Sequence, residues 1–597
     1  MSVPILFQSS VFSLNPTRPP FSPSLLPATT PQPSPRLPAP SPTRPCFLPA
    51  PISCASPATS ESASPDVDVV IIGSGMGALT TAGDLCQKGL KVGVLERYLI
   101  PGGSSAQFSR PGYRFDVGAS MIFGLGTEGS TNLLTRALAT VGRAIPSIPD
   151  PVQVRYHLPD NLDVSVARDY ETFLDNLSSL FPHERVGIRK FYDECWSVFN
   201  SLNLMPLRSL EEPRYLLSIF AKRPLTCFNV LRFIATNAGD IARRYIKDEK
   251  LLKFIDVECF SWSVVPADMT PMINAGMVFS DRHYGGINYP AGGVGRIAEE
   301  MVEGIREHEG CWVRLRANVK NVLFDHSGRA CGVRLATGEE IRARAVISNA
   351  TRWDTFDEGG LVPTEHVPEA ENRFRDRYIK SPSFCSAHIA VREKDLKVSM
   401  RAEDGMDCHH IMLDNWDDME VAEDARGTLF VSIPTILDKS IAPEGMHIFH
   451  VFTPSWMHEW KGLSSKEYKA KKQRMLDTMV SRLERELVEG LSSAIEFAEV
   501  GSPRTHRRYL GRVDGSYGPV AGKRLNGLLS MPFNRTEVDG LYCVGDSTFP
   551  GQGLNATAFS GFACAHRVAA DLGFIETLPQ PVDDWLTKLL GRWRLLL

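Results

Sequence analysis

Gly73-Ser74-Gly75-Met76-Gly77-Ala78 places glycine, glycine and alanine at the spacing of a phosphate-binding turn. Gly73 permits the tight turn, Gly75 lets a pyrophosphate approach the backbone, and Ala78 keeps the following helix close. Glu96 follows 23 residues after Gly73, where a carboxylate accepts hydrogen bonds from ribose hydroxyls. The same charge repels a 2′-phosphate. A second glycine cluster, Gly545-Asp546 and Gly551-Gln552-Gly553, lies 470 residues downstream of Gly75.

The elements that must position these residues are legible around them. Val67 to Ile72 is short and β-branched, as a buried parallel strand requires. Leu79, Ala82 and Leu85 recur at helical spacing from Met76 to about Lys88, and Gly89 stops the helix. Lys91 to Leu95 forms the second strand and ends at Glu96. Pro101-Gly102-Gly103-Ser104-Ser105 and Gly112-Tyr113-Arg114-Phe115-Asp116-Val117-Gly118 come next. Gly310 to Val319 and Arg342 to Ala350 read as further strands, and Val538 to Val544 as a turn and strand. A small-residue helix is expected from about Ala556 to Ala570.

In this arrangement the chain resembles flavoproteins of the amine oxidase and phytoene desaturase superfamily. The resemblance implies FAD, with Gly102-Gly103 under its phosphates and Asp546 near its ribityl or pyrophosphate region. It implies that the last helix directs its N-terminus at the flavin, where negative charge gathers on reduction. The implied cofactor residues are Gly73, Gly75, Gly77, Ala78, Glu96, Arg97, Gly102, Gly103, Ser104, Val319 (through its backbone), Gly545, Asp546, Gly551, Gly553 and Leu554. The fold class is α/β: a discontinuous Rossmann-like FAD-binding domain, a mixed β-sheet substrate domain and a helical membrane-facing cap.

A narrower resemblance covers nearly all of residues 66–573. Phe181-Pro182-His183-Glu184, Arg243-Arg244-Tyr245-Ile246-Lys247-Asp248, Asp281-Arg282-His283-Tyr284-Gly285-Gly286-Ile287-Asn288-Tyr289-Pro290 and Phe549-Pro550-Gly551-Gln552-Gly553 resemble the plant and cyanobacterial prolycopene isomerases. That family implies conversion of poly-cis-lycopene to all-trans-lycopene with reduced FAD and no net redox, NAD(P)H being the expected electron source. It also implies a plastid setting, peripheral membrane contact and association with carotenoid desaturases. Glu258 and Asp268 are candidate acid/base residues from position alone. The departure lies at Leu554-Asn555-Ala556-Thr557-Ala558-Phe559-Ser560-Gly561, where the family carries small aliphatic residues before Phe-Ser-Gly. Competing readings are a carotenoid desaturase, an amine oxidase, and a carrier of isoprenoids without chemistry. Against an amine oxidase, the Gly545–Gly561 segment offers Phe549 and Phe559 but no Tyr or Trp.

Composition bounds the rest. The 597 residues carry a net charge of -4 with no basic block, which argues against nucleic acid. Residues 1–60 hold Arg18, Arg36 and Arg44 and no Asp or Glu, so removing them takes the charge to -7. This Pro/Ser-rich, acid-free leader has the profile of an organellar transit peptide. Twelve cysteines occur singly, without a Cys-x-x-Cys pair, and read as free thiols rather than zinc ligands. His409-His410 would diverge on a strand, and no metal is expected. The longest apolar stretch, Tyr215 to Ile234, is interrupted by Lys222, Arg223 and Arg232, so no transmembrane helix is expected. The expected domains are 1–65, a disordered plastid transit peptide; 66–150 with 285–355 and 500–575, the FAD-binding domain; 151–284 and 356–499, the substrate-binding helical cap domain; and 576–597, an amphipathic tail.

Overall fold

The computed structural model describes residues 66–127, 131–527 and 531–578, together with 582, 585 and 586. The expected transit peptide and most of the expected tail lie outside them. Along the chain, strand β1 (Val67–Ile72) leads into helix α1 (Met76–Gln87) and strand β2 (Val92–Leu95). A helical region follows, including α2 (Arg185–Asn203), α3 (Pro213–Lys222), α4 (Pro224–Phe233), α5 (Glu249–Ser263) and α6 (Met272–Tyr284). The chain then returns through β3 (Trp312–Arg314), β4 (Val319–Phe324), β5 (Ala330–Leu335) and β6 (Glu340–Ser348). It closes with β7 (Leu541–Cys543) and α7 (Leu554–Asp571).

These strands form one sheet in the order β4-β5-β6-β1-β2-β3, with β7 also paired to β6. Pairing is parallel for β6-β1, β1-β2, β2-β3 and β6-β7, and antiparallel within the β4-β5-β6 meander. β1 and β2 are buried almost throughout because α1 and α7 cover the sheet. The two helices pack closely through small residues. A Cβ on Gly561 would lie 2.7 Å from the Gly77 carbonyl, and the Thr81 hydroxyl donates to the carbonyls of Gly77 and Gly561 at 2.7 and 3.1 Å. Helices α1 and α7, from distant parts of the chain, are thereby locked together.

One expectation needs correction. Gly310–Val319 is not one strand: β3 ends at Arg314, and the chain turns at Arg316 with φ +58°. The turn lets Arg316 N–H donate to the Tyr98 carbonyl and Ala317 N–H to that of Glu96, at 3.0 and 2.8 Å. β4 then starts at Val319 on the opposite edge of the sheet.

A second seven-stranded sheet runs Ile495–Gly501, Ser383–Arg392, Met446–Ser455, Leu429–Ser432, His409–Met412, Val152–Leu158, Leu162–Ala167. One pair in it is parallel, His410–Met412 against Arg155–His157, so the sheet is mixed. The helical region packs on it through its own apolar core, which includes Phe173, Phe191, Tyr192, Phe254 and Phe279.

Candidate functional site

Gly73 turns the chain out of β1 with φ +93°, and Gly75 caps α1 with φ -65°. No side chain caps α1, so its first-turn N–H groups face an open cleft. A Cβ on Gly75 would lie 2.6 Å from Nδ2 of Asn349. Asn349 follows β6 and donates its N–H to the Ile72 carbonyl at 2.9 Å. Its side chain is also within 3.1 Å of a Cβ placed on Gly77 and 3.0 Å of one on Gly545. The glycines are therefore required by a shared asparagine as much as by a ligand.

Glu96 braces the same turn. Its carboxylate accepts from Ser74 N–H at 3.0 Å, the Ser74 hydroxyl at 2.7 Å and Tyr98 N–H at 2.7 Å. Gly102 N–H reaches the Ser74 carbonyl at 3.0 Å, laying the second Gly pair against the first turn. From the far end of the chain, Asp546 pairs with Arg512 at 2.5 Å. The second turn is held by buried Arg352, which donates to the Ser547 and Phe533 carbonyls at 3.1 and 2.9 Å and pairs with Glu371.

The cleft between these turns is lined by Gly73, Gly75, Gly77, Glu96, Arg97, Gly102, Gly103, Ser104, Val319, Gly545, Asp546, Gly553 and Leu554. Two sequence candidates are elsewhere. Ala78 is fully buried in the packing of α1, and Gly551 lines a neighbouring cavity. Asn349, Asp354, Arg512 and Tyr517 also line the cleft and were not singled out as cofactor residues from sequence. Asn349 falls in the expected strand Arg342 to Ala350; nothing local marks Asp354, Arg512 or Tyr517. The cradle fits FAD: a Cβ would fill it at Gly75, and two uncapped helix N-termini, those of α1 and α7, supply donors for anionic groups.

The neighbouring cavity is apolar. Its walls include Phe123, Met205, Tyr215, Trp262, Met277, Phe279, Phe549 and Phe559, with Thr131, Ser263, Thr270, Asn274, Asp281, Gln552 and Asn555 as polar exceptions. Cleft and cavity share Gly553 and Leu554, at the N-terminus of α7.

Neither acid/base candidate lines this cavity. Glu258 is wholly buried in the helical core, accepting from Arg282 at 2.6 Å and from the Tyr192 hydroxyl at 2.5 Å. Asp268 is half-exposed and paired with Arg243. The His409-His410 side chains diverge: His409 Nδ1 meets Asp150 at 2.9 Å and His410 Nδ1 meets His157 at 3.0 Å. Asp150, Cys408 and His409 form a buried group whose ligand atoms lie within 4.8 Å of one another, but those atoms already partner each other. The ten described cysteines are free, and Cys46 and Cys54 lie outside the described residues.

Residues 79–569 match the profile of the flavin containing amine oxidoreductase family. The chain is 53% identical over 529 residues to the chloroplastic prolycopene isomerase of Arabidopsis thaliana, covering 89% of this chain and 87% of that protein. It is 52% identical over 534 residues to the chloroplastic prolycopene isomerase of Daucus carota, covering 89% and 85%. A solved putrescine oxidase bound to putrescine is similar with a TM-score of 0.55 and 16% identity over 85% of this chain and 98% of that one, a likeness of fold alone. With a cofactor cleft built from both chain ends and this degree of identity, the chain belongs to the flavin containing amine oxidoreductases and, among them, to the family of the prolycopene isomerases.

Proposed function

We propose that this chain is a plastid FAD-dependent carotenoid cis–trans isomerase that converts poly-cis-lycopene to all-trans-lycopene without net redox. The observation that carries this reading is the apolar cavity meeting the cofactor cleft at Gly553 and Leu554. A hydrocarbon polyene offers no group to hydrogen-bond, so shape and apolar walls must hold it. Trp262, Phe279, Phe549 and Phe559 provide such walls and exclude water. Gly73, Gly75, Gly102, Gly103, Gly545 and Asp546 would hold FAD, which in its reduced form supplies the electron density that lowers the barrier to rotation. The uncapped N-terminus of α7 favours negative charge there. NAD(P)H is the electron source in this reading, needed to reduce the cofactor but not for each turnover.

The test is redox balance. Reduced holoprotein kept anaerobic should convert poly-cis-lycopene over many turnovers with no acceptor, and product mass should equal substrate mass. Loss of hydrogen with stoichiometric acceptor reduction would establish a desaturase instead.

Entry of the substrate from lipid is the second part of the reading. α3 and α4 expose Leu217, Phe220, Leu225, Phe228 and Leu231, with Leu225 83% exposed, beside exposed Lys222 and Arg223. Tyr215, on the buried side of α3, lines the cavity, so the helix that carries this apolar and basic face adjoins the substrate site. No helix among the described residues is long and apolar enough to cross a membrane, and the face suits peripheral contact with an anionic bilayer. Association with carotenoid desaturases at that surface completes the reading. Replacing Leu225 and Phe228 by Asp should weaken binding to anionic vesicles by about tenfold or more, since each buried apolar side chain contributes about 1.5–3 kcal/mol. Sedimentation with vesicles measures this; unchanged binding would remove α3 and α4 from the contact.

A further inference from the structure

Helix α6 presents Asn274, Met277, Val278 and Asp281 to the apolar cavity along one face. Asp281 is the anomaly in that wall: a carboxyl only 2% exposed, surrounded largely by hydrocarbon. The Thr131 hydroxyl donates to its Oδ1 and the Asn555 amide to its Oδ2, each at 3.4 Å. Asn555 is fixed in turn by donating to the Thr131 carbonyl at 3.0 Å. Gly124, with φ +79°, makes room for it: a Cβ there would lie 2.1 Å from Asn555 Oδ1. Asn555 immediately follows Gly553 and Leu554, where cavity and cofactor cleft meet.

No cation pairs with Asp281 among the described residues. Arg282, next on α6, is turned to Glu258. His283 bonds the Arg168 carbonyl and lies against Arg282. Arg168 donates to the Gly285 and Ile287 carbonyls and to Asn288. The packed segments 121–127 and 131–132 carry no titratable side chain, and the first on α7 are Cys564 and His566. Glu128 lies outside the described residues.

We propose that Asp281 is a catalytic residue of the isomerase, its carboxylate stabilising the positive end of the polyene as the electron pair of the rotating double bond shifts towards the opposite end of the chain, so that the substrate stays neutral overall and exchanges no electron or proton. This rests on the isomerase reading above. No bond to the protein forms or breaks: the chain rotates about a weakened double bond while the charge beside it stays fixed. A carboxylate without a counter-cation, held in advance by hydrogen-bond donors in a largely apolar cavity, acts at its greatest strength on charge that develops during the reaction. Burial pushes this carboxyl up to about 7, with the Thr131 hydroxyl and the Gly285 N–H pulling the other way. Protonation therefore switches off the field below neutrality and ionisation restores it above. Asn555 supplies one of the donors that favour the ionised form.

The test uses full-length holoprotein with bound all-trans-lycopene as a spectroscopic probe, and poly-cis-lycopene as substrate. A charge beside a polyene displaces its visible band, so in the wild type the band should shift with a midpoint about 7. Turnover should rise over the same interval. Asp281→Asn should abolish the shift, retain flavin and polyene, and lower turnover by about 10²-fold, the scale of losing one pre-organised electrostatic contact. Asn555→Leu should move both midpoints to higher pH. Wild-type turnover in Asp281→Asn, a band indifferent to pH in the wild type, or midpoints unmoved in Asn555→Leu would each overturn the proposal. A wild type that shows the band shift but never isomerises overturns the isomerase reading instead.

Discussion

Gly75→Val yields folded protein that purifies without flavin. The backbone at this position has φ -65° and ψ 167°, which valine adopts freely, so the substitution adds bulk without straining the turn. That bulk has nowhere to go. Its Cβ would lie 2.6 Å from Asn349 Nδ2, and its methyl groups extend into the cleft between Gly75 and Gly103. Displacing Asn349 also disturbs Gly77 and Gly545, which rest on the same side chain. A loss of at least about 4 kcal/mol of cofactor affinity, roughly a thousandfold, is expected. The ratio of visible flavin absorbance to protein absorbance measures it. A variant retaining full absorbance would place the phosphates elsewhere.

The second large effect concerns stability. Arg282 and Glu258 are both 0% exposed, and the Arg282 guanidinium lies over Phe173 and Phe279 at 4.8 and 5.0 Å. Arg282→Met leaves the Glu258 charge buried without its cation and should cost about 3–5 kcal/mol. Adding Glu258→Gln should recover a large part of that loss, because the orphaned charge is then gone. Thermal unfolding of the two single variants and the double variant gives the coupling. The experiment also decides what Glu258 does. A positioning and stabilising role predicts that Glu258→Gln lowers stability without removing a limb of the pH–rate profile; loss of that limb with stability intact would make Glu258 an acid or base.

The pattern of what sequence reasoning reached follows from the range of the interactions. β1, α1 and β2 lie within a residue or so of their expected bounds, because strand composition, glycine and helical spacing are all local signals. The last helix begins at Leu554 rather than Ala556, since Gly553 and not a later residue breaks the chain direction. Asn349 beneath three glycines, and Arg512 against Asp546, were not legible as site residues, for their partners are set by tertiary folding alone. Glu258 illustrates the same limit. It was a candidate from position alone, and whether it faces a cavity or Arg282 depends on how α5 meets α6. The contacts of Asn555 with Asp281 and the Thr131 carbonyl were likewise set by tertiary folding.

The pairing of β7 with β6 has a consequence in time. A chain made or threaded from its N-terminus completes β1, α1, β2 and β6 long before Leu541 appears. Until then the β6 segment Val346–Ser348 lacks its second parallel neighbour, and the small-residue face of α1 lacks α7. An unpaired strand of this kind is a template for pairing with other chains. The cleft acquires Gly545, Asp546 and Gly553 only at the end of that interval. The cleft is thus completed and the edge of β6 covered by the same last segments of the fold.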